Sequence, residues 1–259
     1  MNRESERIPC SLTSTSSIRP EPFGSELKAD LLMAEGSRVA AGIFNWGCKG
    51  ERKDTKMVEP HFEPVNTNLS YEQAKTLFET YIKEPWIHKH CRASEVIMRG
   101  LARHFGQDEE QWAILGLLHD IDFEQTKDDP VRHCVYARGI LSDAGVSDEA
   151  IEIICSHAWG SECGGGNVLD KKRTRNIEHV LVAAESLTGL ISAAALMTPD
   201  KKLASVKVKS LKKKYKSKGF ARNCSRAFMA EIEKTGLELS AFFDIAIKAM
   251  QEISDELAL

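Results

Sequence analysis

The chain lacks the features that mark a disulfide-stabilised or membrane-spanning protein. Its 259 residues contain seven cysteines, an odd number, and these are scattered without a Cys-x-x-Cys pair. We therefore expect neither a disulfide framework nor a thiolate zinc site. No uninterrupted apolar stretch reaches the roughly 18 residues that a transmembrane helix needs. These absences predict a protein of a reducing compartment, with no transmembrane segment and no membrane partner.

Two common catalytic signatures are missing as well. The sequence contains no Gly-x-Ser-x-Gly turn for a nucleophilic serine and no Gly-x4-Gly-Lys-[Ser/Thr] phosphate loop. Its net charge of -3 at pH 7 gives no global preference for nucleic acid, which is not an expected partner. The composition leaves the oligomeric state open. Local clusters of charge are therefore the features that could attract a charged partner.

Residues 1–68 differ in character from the rest of the chain. They include the Ser/Thr-rich stretch 11–17, scattered Pro and Gly, and no sustained hydrophobic period. This composition predicts a flexible N-terminal extension, followed by a single domain over 69–259. Acidic residues in the first 26 positions disfavour a transit peptide, so we expect a cytoplasmic protein, with organellar import as the alternative. A shortened chain that begins at Met57 is expected to fold.

From Ser70 onward the sequence predicts helices and no alternating strand pattern. Ser70 and Gln73 form a capping-box start for a helix through Lys83, and Pro85 suits the first turn of the next helix. Further helices are predicted at about 108–119, 131–144, 148–158, 174–197, 205–216, 225–235 and 240–257. Helix ends are expected at Gly106, Gly145 and Gly236, and helix starts after Asp108, Ser147, Ser225 and Ser240.

Helical periodicity indicates which histidines face the core. His90 shares its face with Ala93, Ile97 and Leu101, whereas His88 aligns with charged residues and is expected to be solvated. The same test turns His133 and His157 inward, beside apolar residues of their own helices. Cys91 and Cys134 directly follow two of these histidines, but a role as small core residues is favoured over metal ligation.

His119-Asp120 ends the apolar run 114–118. Four inward histidines and one aspartate would be costly to bury without a partner, because an unsatisfied polar group costs a few kcal/mol. A divalent cation is the economical partner.

The order His90, His119-Asp120, His133, His157 and a late acid resembles the HD-domain superfamily, which consists largely of metal-dependent phosphohydrolases. The similarity spans roughly 86–200, with Gly116-Leu117-Leu118-His119-Asp120 as its strongest local motif. It implies an all-α fold, a helical bundle with a C-terminal helical extension. It also implies two divalent ions bridged by Asp120, whose identity among Fe, Mn, Co, Mg and Zn is open.

By this resemblance, the first ion is held by His90, His119, Asp120 and the late acid, and the second by His133, His157 and Asp120. The late acid is Glu185 here, at a position where the family normally has Asp. Glutamate is longer by one methylene, so it either binds with shifted geometry or leaves one ion weakly held. We favour ligation.

The resemblance implies hydrolysis of a small phosphorylated molecule, a nucleotide or dinucleotide, by metal-activated water, with Asp120 at the catalytic centre. Asp122 and Glu124, just after the pair, are candidates to orient water or protonate a leaving group, and are equally compatible with solvated positions at a helix end. Two alternatives stay open: a diiron oxygenase of the same superfamily, and a non-catalytic regulatory module that binds metal.

A lysine cluster gives a second functional hint. Residues 201–218 contain nine lysines and no acid. Lys209, Lys212, Lys213 and Lys216 are candidates to bind a phosphorylated substrate, and a solvated helix face is the alternative. This stretch also resembles uncharacterised bacterial HD-domain hydrolases, which extends the similarity to most of 70–257 without a known substrate.

Overall fold

The structure is a computed structural model that describes residues 61–161 and 171–259. Within these ranges the chain forms helices and connecting loops and no strand, which confirms the predicted all-α fold. The α-helices are α1 (Tyr71–Tyr81), α2 (Pro85–Phe105), α3 (Glu109–Leu118), α4 (Phe123–Thr126), α5 (Val135–Asp143), α6 (Asp148–Cys155), α7 (Asn176–Leu196), α8 (Val208–Lys216), α9 (Arg226–Ala230), α10 (Leu239–Glu252) and α11 (Ser254–Leu257).

Two 21-residue helices, α2 and α7, form the centre of the domain. The first packs against α3, α7 and α10, and the second also contacts α6, α8 and α9. By length and composition α7 could cross a membrane, but 72% of its most apolar window is buried inside the protein. Its apolar surface is therefore that of a core helix, covered by neighbouring helices.

Most predicted helix ends are confirmed. Ser70 and Gln73 form the capping box of α1, and the Asp108 side chain accepts from two backbone N–H groups at the start of α3. Gly106 ends α2 in the left-handed conformation with φ of 66°, which glycine adopts at low cost. The predicted start after Ser240 is wrong, because the extended backbone at Glu238 begins α10 two residues earlier.

The predicted helix 131–144 is wrong in its first turn. A 3₁₀ turn, Pro130–Arg132, comes first; His133 then has an extended backbone and Cys134 is left-handed with φ of 65°. The regular helix begins only at Val135. The sequence has no glycine and no proline other than Pro130 at this break. The apolar periodicity therefore continues across it and predicts one uninterrupted helix. The predicted helices 148–158 and 225–235 likewise end in 3₁₀ turns, Ser156–Ala158 and Glu231–Thr235.

The segment 61–69 packs against the helices although it forms none itself. The Phe62 ring lies 4.6 Å from Phe105 and 5.2 Å from Trp112, measured between ring centroids. The backbone N–H of Thr67 donates to the Gln111 side chain at 2.7 Å, and Val65 is buried. The predicted boundary between extension and domain lies between residues 68 and 69. Residues of this segment that precede the boundary thus pack into the core. The remainder of the predicted extension lies outside the described residues.

A glycine sets the distance between α2 and α3. A Cβ atom added to Gly116 would lie 2.7 Å from the Ser94 carbonyl oxygen and 2.9 Å from Cγ of Met98. Only hydrogen fits there, so the two helices approach closely. This contact brings His119, at the end of α3, to His90 on α2.

Candidate metal centre

One carboxylate lies at the centre of four imidazoles. Oδ2 of Asp120 is 3.5 Å from Nε2 of His90 and 3.4 Å from Nε2 of His119. Oδ1 is 3.4 Å from Nε2 of His133 and 3.3 Å from Nε2 of His157. The five predicted residues therefore form two clusters of three donors, and each oxygen of Asp120 serves one cluster.

Within each cluster two imidazole nitrogens face each other at close range. Nε2 of His90 and Nε2 of His119 are 3.0 Å apart, and so are Nε2 of His133 and Nε2 of His157. Two nitrogens bound at about 2.1 Å and at a right angle to one ion lie about 3.0 Å apart. The spacing therefore fits a pair of ligands to a shared ion.

The tautomers of two imidazoles follow from backbone acceptors. Nδ1 of His119 is 2.8 Å from the Gly116 carbonyl oxygen, and Nδ1 of His157 is 2.6 Å from the Ile154 carbonyl oxygen. A carbonyl only accepts, so each Nδ1 carries the proton. In the neutral rings, Nε2 of both residues then presents a lone pair to Asp120.

The other two imidazoles have side-chain acceptors. Nδ1 of His133 donates to Oδ1 of Asp122 at 2.9 Å. Nδ1 of His90 is 2.9 Å from Oγ1 of Thr188, whose hydroxyl already donates to the Glu185 carbonyl oxygen and so accepts from the ring. When all four rings are neutral, their Nε2 atoms therefore converge on the carboxylate as lone pairs. Such a set of acceptors requires positive charge, which metal ions supply.

The charges of these groups are strongly coupled. Burial and the charge of His119 lower the pKa of His90 to about 4. Burial also disfavours charge on His157, but the Asp120 carboxylate outweighs this effect and raises the pKa of His157 to about 9. Burial of Asp120 is likewise outweighed by the imidazoles, led by His119, which hold its pKa well below the usual range. Without an ion, a proton on His157 supplies the missing positive charge.

The centre opens onto a cavity of about 780 Å³. His90, Asp120, His133 and His157 contribute to its floor. Its walls come from α2, α7, the segment before α9 and the last residues of the chain. A small molecule in this cavity would contact the donors directly.

Residues 87–188 match the family model described as HD domain. These residues form an HD domain. The match includes the five clustered donors and Glu185. The search of curated proteins and the search of solved structures each gave no match. The HD-domain family consists mainly of metal-dependent phosphohydrolases, and the His/Asp clusters provide candidate ligands for divalent ions.

The structure places the two further predicted acids of the HD domain away from the cavity. Asp122 is fully buried behind His133, and its second oxygen accepts from the Ala137 backbone N–H at 3.0 Å. Glu124 accepts from the backbone N–H of Lys83 and Glu84, just before α2. Neither acid lines the cavity, so neither is positioned to orient water or protonate a leaving group there.

Glu185 does face the cavity, as its helical face predicts. Burial raises the pKa of its carboxyl group, and His157 and His119 oppose this shift. Oε1 accepts from the Ser186 hydroxyl at 2.6 Å. Among the described residues, two groups have donor atoms that all lie within 4.8 Å of one another, and Glu185 is in neither: His90, His119 and Asp120, and His133, Cys134 and His157. Its role as a ligand stays a prediction.

The Cys134 thiol lies within 4.8 Å of the ligand atoms of His133 and His157. A hydrogen bond with Cys155, together with burial, raises the pKa of Cys134 well above its usual value. Cys155 in turn donates from its thiol to the Cys134 carbonyl oxygen at 3.6 Å. In the absence of an ion, Cys134 is thus a neutral buried thiol.

The predicted substrate-binding lysines lie on α8 and do not contribute to the cavity. Lys209, Lys212, Lys213 and Lys216 are exposed, and none of them lines the cavity. The buried side of α8 carries Leu211, so the lysines occupy the solvent side of an amphipathic helix. The lysine that does line the cavity is Lys89 on α2.

Sequence reasoning missed a buried network that holds the His157 turn. The Arg173 guanidinium donates to the carbonyl oxygens of Ser156 at 2.7 Å and Trp159 at 2.8 Å. It also forms a bidentate ion pair with Glu231, whose Oε2 is 2.6 Å from Nδ1 of His179. These residues come from distant parts of the chain, so no local motif indicates their meeting.

Proposed function

We propose that this protein is a metal-dependent phosphohydrolase that cleaves a small phosphorylated molecule with activated water. One observation carries the proposal: four imidazoles, each with its Nδ1 held by a fixed acceptor, turn Nε2 toward the Asp120 carboxylate at the floor of an open cavity, so that the neutral rings offer it no proton donor. A purely structural cluster would instead satisfy its acceptors with donors from the protein.

In this proposal His90, His119 and Asp120 hold one divalent ion, and His133, His157 and Asp120 hold a second. Such ions, when bound, acidify a water molecule and neutralise charge on a phosphoryl group. The residues of the chain orient the donors. Asp120 bridges the two clusters with its two oxygens, as the distances of 3.3–3.5 Å allow.

The surrounding residues support this arrangement. Asp122 and Thr188 accept the Nδ1 protons of His133 and His90 and so keep each Nε2 available as a ligand. Glu185 is proposed as an additional oxygen ligand of the first ion, from its position at the cavity. Loss of bound metal in a Glu185→Ala variant is expected, and full retention of metal would remove this assignment.

Elemental analysis and a screen of phosphorylated metabolites test the proposed function. The purified protein should contain about two divalent ions and should release phosphate from at least one substrate without oxygen uptake. Asp120→Ala should abolish both metal retention and phosphate release, whereas Asp128→Ala, at an exposed acid, should keep both. Turnover by a metal-free Asp120→Ala variant would contradict the proposal. Iron combined with oxygen consumption would favour an oxygenase instead.

A second matched pair addresses the first cluster. His90→Gln should reduce metal content, because it removes one of the three clustered donors. His104→Gln changes an exposed histidine on the same helix and should leave metal content unchanged. Equal metal content in the two variants would contradict the proposed role of His90.

A further inference from the structure

The cavity has an aromatic wall that begins at a metal-ligand candidate and ends at solvent. The Phe123 ring lies 5.7 Å from the His133 ring, and the Trp86 ring meets Phe123 edge-on at 5.5 Å, between centroids. Trp86 is 56% exposed although it is a large apolar side chain. An aromatic surface therefore extends outward from the centre.

Further residues that line the cavity are apolar too. Leu196, at the end of α7, lines the cavity and is 55% exposed, and Phe228 and Leu257 also line it. Trp86 and Leu196 both line the cavity and are both more than half exposed, which places them at its rim. Exposed apolar side chains around a concave site are typical of a surface that a ligand covers.

Cationic side chains are scarce in this cavity. Among the described residues that line it, Lys89 alone is a lysine or arginine, and its ammonium group donates to the Leu257 carbonyl oxygen at 2.8 Å. Phosphate chains of nucleotides are normally bound by several cationic groups or backbone N–H groups.

The charge balance of the metal centre also favours a substrate with few negative charges. Two divalent ions would bring four positive charges, and the carboxylates of Asp120 and Glu185 together bring two negative charges. The activated hydroxide would bring a third negative charge, so one positive charge would remain, and a single phosphoryl group is enough to neutralise it. A triphosphate or a dinucleotide would place further negative charge against a largely apolar wall, where desolvation is costly.

Resting on the proposed function, we propose that the substrate is a phosphate monoester of an apolar alkyl or aryl group. Its phosphoryl group lies at the metal centre, and its apolar group lies against Trp86, Phe123 and Leu196. This inference narrows the broader expectation of a nucleotide or dinucleotide to a substrate with one phosphoryl group and an apolar body.

Binding of alkylphosphonates to the metal-loaded protein tests this inference without turnover. Methyl-, propyl- and hexylphosphonate are titrated by calorimetry, with inorganic phosphate and adenosine triphosphate as further probes. Each buried methylene should raise affinity about fourfold until the cavity is filled. Hexylphosphonate should also bind more tightly than adenosine triphosphate.

Substitutions at the rim of the cavity test where the alkyl group of the phosphonate binds. Leu196→Ser should lower the ratio of hexyl- to methylphosphonate affinity by about tenfold, because it removes an apolar contact for the chain. Met197→Ser is the matched control, since Met197 is 68% exposed next to Leu196 and does not line the cavity. The ratio should not change in this control.

The possible results separate this inference from the proposed function. Affinity that is constant along the phosphonate series, or tighter binding of adenosine triphosphate, overturns the apolar-substrate inference and leaves the phosphohydrolase proposal intact. Failure of all phosphonates and of inorganic phosphate to bind the metal-loaded protein overturns both. Affinity could also rise along the phosphonate series while Leu196→Ser and Met197→Ser reduce this rise equally. That result would overturn the assignment of the alkyl group to the surface at Leu196.

Discussion

The imidazole of His133 donates from Nδ1 to a carboxylate oxygen of Asp122 across 2.9 Å. The same carboxylate is fully buried and also accepts from the Ala137 backbone N–H at 3.0 Å, at the start of α5. Asp122 therefore fixes both the tautomer and the orientation of His133, and directs its Nε2 toward Asp120.

Removal of this acceptor should weaken one metal site and spare the other. We expect Asp122→Ala to lower the affinity for one of two ions by about 10- to 100-fold, because the His133 ring loses its fixed tautomer. Calorimetric titration of the metal-free protein measures both affinities. Asp128→Ala, at an exposed acid, is the control. Two unchanged affinities in Asp122→Ala would show that the buried pair does not position His133.

Gly116→Ala should destabilise the protein, because the new methyl group would lie 2.7 Å from the Ser94 backbone oxygen. The expected loss is about 1–3 kcal/mol in the free energy of unfolding, measured with urea. Gly139→Ala is the matched control, since a Cβ there meets nothing within 4 Å inside α5. That substitution should be neutral or stabilising. Equal stability of the two variants would contradict the close contact between α2 and α3.

Acid should weaken the network around Glu231. Burial raises the pKa of this carboxyl group, but hydrogen bonds from His179 and Arg173 outweigh burial and lower the pKa below its usual 4.5. A lowered pKa stabilises the fold above pH 4.5, and this contribution is lost as the pH falls toward the folded-state pKa. We expect Glu231→Gln to lower the free energy of unfolding by about 3–5 kcal/mol at pH 7.

Urea unfolding at pH 7, 5, 4 and 3 measures this effect. The gap between the wild type and Glu231→Gln should shrink below pH 4.5, because the carboxyl group of the unfolded wild-type chain then takes up a proton while that of the folded chain stays ionised. Glu233→Gln changes an exposed neighbour and is the control. A gap of the same size at every pH would indicate that the charge of Glu231 is not what stabilises the fold.

Metal affinity should rise with pH. In the metal-free protein the pKa of His157 is about 9, so at pH 7 this imidazole carries a proton that a bound ion must displace. His90, with a pKa of about 4, is already neutral. The apparent affinity should increase by up to tenfold per pH unit between pH 6.5 and 9, with release of about one proton. Affinity that is independent of pH in this range would contradict the assignment.

A shortened chain that begins at Met57 should fold as well as the full chain. It keeps residues 61–69, whose contacts include the Phe62 ring against Trp112 and the Thr67 hydrogen bond to Gln111. Thermal unfolding of the two chains should give midpoints within about 2 °C of each other. A second chain that begins at Ser70 loses these contacts and should be less stable. Failure of the Met57 chain to fold would give the preceding residues a structural role.

Periodicity predicts the centre well where the helices are regular. His90 lies inside α2, so the face shared with Ala93 and Ile97 predicts its direction correctly. His133 also points inward as predicted, but for a different reason. Its backbone is extended after a 3₁₀ turn, and the hydrogen bond to Asp122 orients the ring. The helical face assumed for His133 does not exist.

Long-range partners are beyond this kind of reasoning. Glu231 meets His179 across 52 residues of sequence, and Arg173 across 58, through packing that no local pattern encodes. The same limit applies to Lys89 at the cavity and to the lysines of α8. A run of lysines predicts a cationic helix face. The packing of α8 against α7 and α10 determines where on the protein surface that face lies.

Four of the five clustered donors lie at junctions of the chain. His119 caps the end of α3, Asp120 follows it, His133 follows one 3₁₀ turn and His157 lies within another. His90 alone lies inside a long helix. Ions bound by these residues would therefore act as cross-links that join distant segments, the role that disulfides have in small secreted domains. Chelation should increase hydrogen exchange at the junctions before it affects the interior of α2.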